Sequence, residues 1–321
     1  MFIESKRHAL NGPTMGSRWS AVCFADAGQD MHRVQLALQA AVDSVDISMS
    51  TWKPDSDLMR LNRAPLAHWT EVPVDLAHVL SVSLAIGRES GGAFDIGMGD
   101  AVRAWGFGPE AACAQAIRHA MEAVRVPAHE ALEIDGRFVR KRAEVTLDLN
   151  GIAKGYGVDR LADTLRSFGI EAALVGIDGE MRALGRRPDG QPWTIAVEAP
   201  DADRRAPQSI VMLDDAAVAT SGDYRHWVQV KGVRISHTMD PKRGAPSTAT
   251  PASVTVISRT CAQADAWASA LMVAGVEAGA RMAMRRGLQA LFLTRDPAGG
   301  IQSKGVGTVF RTDARRSAQL C

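Results

Sequence analysis

The chain predicts an α+β fold, a single compact domain of mixed sheets flanked by helices. Three observations lead there. Apolar residues recur at helical spacing in Met31, Val34, Leu38, Ala41, Val42 and Val45. Strand-like runs at 172–177, 193–197, 210–213 and 228–235 follow one another with no helical pattern between them. The 321 residues hold no internal repeat, low-complexity tract or long linker.

In chain order, a strand is expected at 18–24 and a helix from Met31. A loop rich in Pro and Asp (52–57) leads to a short turn ending at Asn62. Asp75 is the expected N-cap of a second helix, which runs through Leu76, Leu80 and Leu84 to Arg88 and stops at Gly91-Gly92. The alanine-rich stretch 110–124 should be helical. Val145, Leu147 and Leu149 alternate as in a strand that ends at Asp148. A turn holding Gly151, Gly155 and Gly157 around Lys154 comes next, and Val158, Leu161, Leu165 and Phe168 then mark a helix. The charged, Pro-containing stretch 200–209 reads as a loop. A strand at 253–258, helices at 261–273 and 277–286, and a strand at 290–294 follow. Asp296 and Gly299-Gly300 suggest a hairpin and a polar tail to residue 321.

Bulk properties exclude several classes. With 37 basic residues against 36 acidic ones, a dedicated nucleic-acid binder is not expected. Cys23, Cys113, Cys261 and Cys321 are scattered, so neither a disulfide framework nor a cysteine zinc site is implied. No run of about twenty apolar residues could span a membrane. The N-terminal residues are charged within four positions and have no apolar signal core. As written, the expected location is cytoplasmic; it becomes periplasmic or inner-membrane-associated if a leader was removed.

Several constellations could do chemistry. A glycine-rich strand-to-helix turn lets a backbone approach an anion, a helix start offers unpaired N–H groups, and Lys154 adds a charge that can reach phosphate. Asp265 and Ser269 stand four apart on one helix face, among the small residues Ala262, Ala264, Ala266, Ala268 and Ala270. They present hard oxygens of the type that binds Mg²⁺, or else a surface acid and a packing residue. In the segment from Ser236 to Gly244, His237 could act as a base, Asp240 could orient it or cap a turn, and Lys242 and Arg243 could meet an anion. Thr220-Ser221-Gly222-Asp223-Tyr224 offers hydroxyls. Gly91-Gly92-Ala93-Phe94-Asp95 and Trp105-Gly106-Phe107-Gly108 set aromatics beside glycines, which suits a flat ring.

Taken in order, these pieces resemble the FAD:protein FMN transferase (ApbE) family. The matching segments are 14–17, 50–62, 91–108, 148–159, 220–224, 236–244 and 264–269, spread over residues 12–295. The resemblance implies a T-fold-related architecture and an enzyme that cleaves the FAD pyrophosphate. FMN would pass through its phosphate to a threonine or serine of an acceptor flavoprotein, with release of AMP. It implies FAD contacts by Met15, Trp52, Ala93, Phe94, Asp95, Asp148, Lys154, Thr238 and Met239. Gly151 (through its carbonyl), Asp265 and Ser269 would hold Mg²⁺ or Mn²⁺, and His237 would be the catalytic base.

Three features depart from the family pattern. Asp178-Gly179-Glu180 stands where Gly-Gly-Asp is frequent, so the turn near the nucleotide should differ in shape. Ser269 replaces a common threonine, and the leader and lipid-anchored cysteine of exported members are absent. Neither Ser90-Gly91-Gly92-Ala93 nor the stretch 243–246 supplies an acceptor motif, so the acceptor is expected in trans. The competing readings are an FAD pyrophosphatase releasing FMN and AMP, and a flavin-binding protein without turnover.

Overall fold

A computed structural model describes residues 5–201, 206–224, 227–230, 233–247, 251–296 and 300–310. The chain opens with the hairpin β1 (Ser5–Thr14) and β2 (Ser17–Asp26), then helices α1 (Met31–Met49) and α2 (Asp57–Arg63). Strand β3 (Thr70–Glu71), α3 (Val74–Glu89), α4 (Gly99–Ala104), α5 (Ala114–Glu122) and the short α6 (Ala128–Ala131) follow. The hairpin β4 (Leu132–Asp135) and β5 (Phe138–Lys141) precedes α7 (Ala153–Ser167). Next come β6 (Ala172–Ile177), β7 (Glu180–Leu184), β8 (Trp193–Glu198), β9 (Pro207–Leu213) and β10 (Ala217–Gly222). Two small hairpins, β11 (Trp227–Val230) with β12 (Val233–Ser236) and β13 (Met239–Asp240) with β14 (Ala245–Pro246), lead to β15 (Ser253–Ser258). The long helix α8 (Cys261–Arg286) and strands β16 (Gln289–Arg295) and β17 (Ile301–Val306) complete the described order.

The α+β class expected from the sequence is the one adopted. Eight strands form an antiparallel sheet in the order β1-β2-β6-β7-β10-β15-β16-β17. Strand alternation assigns its two faces. Trp19, Ala21, Cys23 and Ala25 of β2 pack with Val34, Leu38 and Val42 of α1 and with Val158, Leu161 and Leu165 of α7. Val22 and Phe24 point the other way, toward a cluster built with Trp193, Ile195, Val197, Val211 and Leu213 of the β8–β9 hairpin. Helices thus cover one face and a hairpin the other. Each fully buried aliphatic side chain in these layers contributes roughly 1.5–3 kcal/mol.

Five expectations are corrected. The alternating run at 145–149 is extended but forms only the isolated bridge Met98–Thr146. Its polar groups go elsewhere: Asn62 Oδ1 accepts the Leu147 N–H at 2.7 Å and Asn62 Nδ2 donates to the Leu147 carbonyl at 3.0 Å. A side-chain amide replaces the neighbouring strand. Asn62 itself lies in α2, not at the end of a turn. Asp75 is inside the first turn of α3, with Pro73 at the cap, and pairs with Arg160 at 3.8 Å. Residues 228–235 are a hairpin rather than one strand, while the helices foreseen at 261–273 and 277–286 join in α8 across a kink at Gly275 (φ 76°). Beyond Asp296 the expected hairpin forms, with β17 pairing antiparallel to β16; 297–299 and 311–321 lie outside the described residues.

The glycine turn changes most. Lys154, Gly155 and Gly157 belong to α7, which starts at Ala153. Near that start the N–H groups of Ile152 and Ala153 bond to the Leu149 carbonyl, and the Gly155 N–H bonds to Asp265 Oδ2. They are not an open anion cradle. The glycine at 155 serves packing: a Cβ there would lie 2.4 Å from the Cys261 carbonyl oxygen and 2.8 Å from Asp265 Cβ. Gly155→Ala should therefore destabilise the protein by about 3 kcal/mol, the overlap outweighing the better helix propensity of alanine. Urea unfolding measures it, and a variant as stable as the parent would show that α7 and α8 are not this close.

Candidate active site

A pocket of about 540 Å³ opens beside α7 and α8, a volume suited to a small-molecule ligand. The fold brings every expected site residue to its wall: Met15, Trp52, Ala93, Phe94, Asp95, Asp148, Gly151, Lys154, His237, Thr238, Met239, Asp265 and Ser269. They come from six separate stretches of chain, so only tertiary structure could gather them.

One side of the pocket is apolar. Met15 sits in the tight β1–β2 turn with φ 46°, followed by Gly16 at φ 70°, a pair of left-handed residues that matches the twist of a two-residue hairpin. The strain of a non-glycine residue there is held at the pocket wall. Trp52 is 60% exposed, so its indole is open to a flat partner, whereas Phe94 is buried and abuts Gly151. Asp95 faces the pocket, yet its Oδ1 already accepts the N–H groups of Gly97 (2.8 Å) and Ala128 (3.1 Å). Burial pushes its carboxyl up and these bonds oppose the shift.

Opposite lies a charged end. Lys154 Nζ is 3.2 Å from Asp178 Oδ2 and 3.9 Å from Glu180 Oε2. Burial disfavours its charge, but Glu180, Asp178 and Asp265 together outweigh that and hold its pKa above the usual value. Asp265 is buried, and burial with nearby Glu180 pushes its carboxyl up to about 8 despite Lys154 and the bond from Gly155. Ser269, one turn further along α8, shares a hydrogen bond with Ser221 at 3.1 Å, and its Oγ is 3.2 Å from the Cβ position of Gly151. Gly151, Asp265 and Ser269 therefore converge.

The Asp178-Gly179-Glu180 departure has a definite shape. Asp178 takes φ 57°, a left-handed conformation that aspartate tolerates better than most side chains, and turns its carboxylate to Lys154. Glu180 is buried at the start of β7. Sequence reasoning assigned no role to Glu180, because an acid at a strand end is usually solvated. Ser221 was visible only as one hydroxyl in a motif, since its contact with Ser269 spans 48 positions.

His237 lies at the bend between β12 and β13, with the Phe107 ring edge-on to it at 6.4 Å between centroids. Asp240 caps the following turn: its Oδ1 accepts the Lys242 N–H at 3.0 Å and its carbonyl accepts those of Arg243 and Gly244. Of the two options left open for Asp240, turn capping is what these bonds make. Lys242 and Arg243 are exposed and do not line the pocket.

Asp148 is buried with Oδ1 accepting the Asn150 N–H at 2.8 Å, and burial pushes its carboxyl up to about 6. An acid whose folded pKa is raised favours the folded state while protonated. Stability is therefore lost as pH rises from about 4 through 6, by roughly 3 kcal/mol in all. In the metal-free, FAD-free protein, Asp148→Asn should remove that slope and be the more stable form at pH 7. Urea midpoints at pH 4.5 and 7 decide it; an unchanged slope would place the titration elsewhere.

Fold and site together define an α+β protein with a pocket that joins an apolar wall to a lysine–carboxylate cluster. The chain belongs to the ApbE family, which residues 15–292 match. It is 37% identical over 292 residues to the FAD:protein FMN transferase of Vibrio cholerae, covering 89% of this chain and 87% of that one. The Escherichia coli K12 protein of that name is 33% identical over 315 residues, with coverage of 91% and 87%. The solved flavin transferase ApbE from Vibrio cholerae aligns with a TM-score of 0.83 at 35% identity, covering 94% of this chain and 98% of that one. Apo ApbE of Pseudomonas stutzeri gives 0.82 at 35% identity, with coverage of 95% and 96%. Among the described residues no helix is long and apolar enough to cross a membrane.

Proposed function

We propose that this chain is an FAD:protein FMN transferase, dependent on Mg²⁺ with Mn²⁺ as the alternative, acting on a threonine or serine of a separate acceptor protein. One observation carries the reading. A flat-ring wall, a cationic phosphate contact and a hard-oxygen cluster share one pocket with His237.

The residues fit a divalent cation. Among the described residues no three His, Cys, Asp or Glu side chains form a ready metal cluster. The set is instead one carboxylate, one hydroxyl and a backbone carbonyl, which leaves coordination positions for water and phosphate, as Mg²⁺ prefers. Asp265 beside Glu180 with Lys154 as the near cation is a buried site short of positive charge. Gly151, Asp265 and Ser269 would hold the ion. When bound, it neutralises pyrophosphate charge and acts as Lewis acid toward the leaving oxygen.

The chain's own residues do the rest. Trp52, Phe94 and Met15 flank the isoalloxazine ring, and Met239 and Thr238 close the wall. Lys154 exchanges Asp178 for a phosphate oxygen and holds the phosphorus in line with the acceptor. His237 takes the acceptor hydroxyl's proton on an imidazole nitrogen. A P–O bond then forms between that oxygen and the FMN phosphorus, the bond to AMP breaks, and AMP leaves with the electron pair.

Incubation with FAD, Mg²⁺ and a protein bearing a Ser/Thr-Gly-Ala-Thr segment, followed by mass spectrometry, tests the reading. One FMN gained per acceptor with equimolar AMP is the expected result. AMP release with no acceptor gain would make the protein a pyrophosphatase, and FAD binding with neither product would make it a carrier.

A further inference from the structure

Asp159 is a buried carboxylate on α7 that faces away from the pocket chemistry. Its Oδ1 accepts the Cys261 N–H at 2.9 Å and the Arg182 guanidinium at 2.7 Å, and its Oδ2 accepts the Ala262 N–H at 2.9 Å. Those two N–H groups are the first of α8, whose own cap residue, Thr260, reaches only the Gln263 N–H, at 3.4 Å. The start of α8 is thus satisfied chiefly by another helix, and a negative charge there also suits the helix dipole.

One turn earlier on α7 the exchange runs the other way. The Gly155 N–H donates to Asp265 Oδ2 at 3.0 Å, and Asp265 lies three residues beyond Ala262 on α8. Each helix therefore gives a carboxylate to the other's backbone, at positions 155 and 159 on one side and 261, 262 and 265 on the other. The missing side chain at Gly155 allows the approach. Two such ties a turn apart fix both the rotation of α8 and its sliding along α7. Asp265 and Ser269 project from the part of α8 so held, and Lys154 from the part of α7 that holds it.

We propose that Asp159 is a positioning residue: through the first N–H groups of α8 it sets where the Asp265 carboxylate and Ser269 hydroxyl stand in the pocket. This rests on the reading of Asp265 as a metal ligand. Residues that orient ligands without touching the ion typically change metal affinity by ~10–100-fold. A merely structural residue would lower melting temperature and leave affinity alone.

The test uses the full chain with Mn²⁺ as probe, reading free Mn²⁺ by electron paramagnetic resonance and metal-free FAD binding by flavin fluorescence. Asp159→Asn is combined with Arg182→Gln so that no unpaired guanidinium remains buried. Ala262→Pro removes one donated N–H without a charge change, at a first-turn position where helices accept proline. Both should weaken Mn²⁺ binding by ~10-fold or more while FAD binding stays within about 2-fold. Arg182→Gln alone should change Mn²⁺ affinity by less than about 2-fold. Unchanged Mn²⁺ affinity in both folded variants overturns the proposal, and so does an equal loss from Arg182→Gln alone. The control Asp265→Asn separates the two readings. If it too leaves Mn²⁺ affinity intact, the ligand assignment fails; if it alone weakens binding, only the role of Asp159 is lost.

Discussion

Asp265→Asn, whose amide oxygen can still accept the Gly155 N–H, should lower AMP release from FAD by at least ~10²–10³-fold without lowering stability. The two halves have one cause. Asp265 is buried near Glu180 with its carboxyl pushed up to about 8, so the metal-free protein carries it at an energetic cost. The neutral amide removes that cost and relieves Glu180, which burial and Asp178 already push up against Lys154. Activity and thermal melting should therefore separate. A related sign follows from the same shift. Because the carboxyl must lose its proton to bind a cation, Mn²⁺ affinity should strengthen by up to ~10-fold per pH unit below pH 8 and then level off. Full activity in the variant, or pH-independent Mn²⁺ binding between pH 6 and 8, would remove Asp265 from the metal site.

His237→Ala should reduce FMN transfer to the acceptor by ~10²–10⁴-fold, the usual worth of a positioned general base. FAD affinity should change by less than about 2-fold, since the imidazole meets the hydroxyl and not the flavin. The Phe107 ring lies edge-on to His237 on one side of the imidazole. Loss of FAD binding in the variant would make His237 a wall residue instead.

Much of the fold was legible where periodicity and burial coincide. Val34, Leu38 and Val42 marked α1 because one helical stripe faces the sheet, and the run at 253–258 marked β15. Strand β1 was not legible: its alternation is blurred by Lys6, Arg7, His8 and Asn11, as befits an exposed edge paired on one side only. Edge strand β17, with Gln302, Ser303 and Lys304, has the same blurred alternation and was legible only through the turn signal at Asp296 and Gly299-Gly300. The run at 145–149 misled in the opposite sense, since its alternation is satisfied by the Asn62 amide and not by a strand.

The site shows the same division. Order of motifs along the chain was enough to name thirteen residues that prove to line one pocket. Glu180 and Ser221 went unassigned because their meaning is a contact, with Lys154 in one case and Ser269 in the other. Local chemistry misread Gly155 as part of a phosphate cradle. Its N–H is committed to Asp265 and its bareness to the passage of α8.

By itself, then, the sequence determined the α+β class, the helical and strand cores, and which residue types are available for metal, phosphate and proton chemistry. Those are properties of spacing and composition, which act over a few residues. The tertiary structure alone decided that Lys154 stands among three carboxylates, that Asp178 fills a left-handed corner, and that α7 and α8 hold each other by exchanged carboxylates. The lysine cluster and the carboxylate exchange join groups at least 20 positions apart, and burial then makes their charges interact strongly.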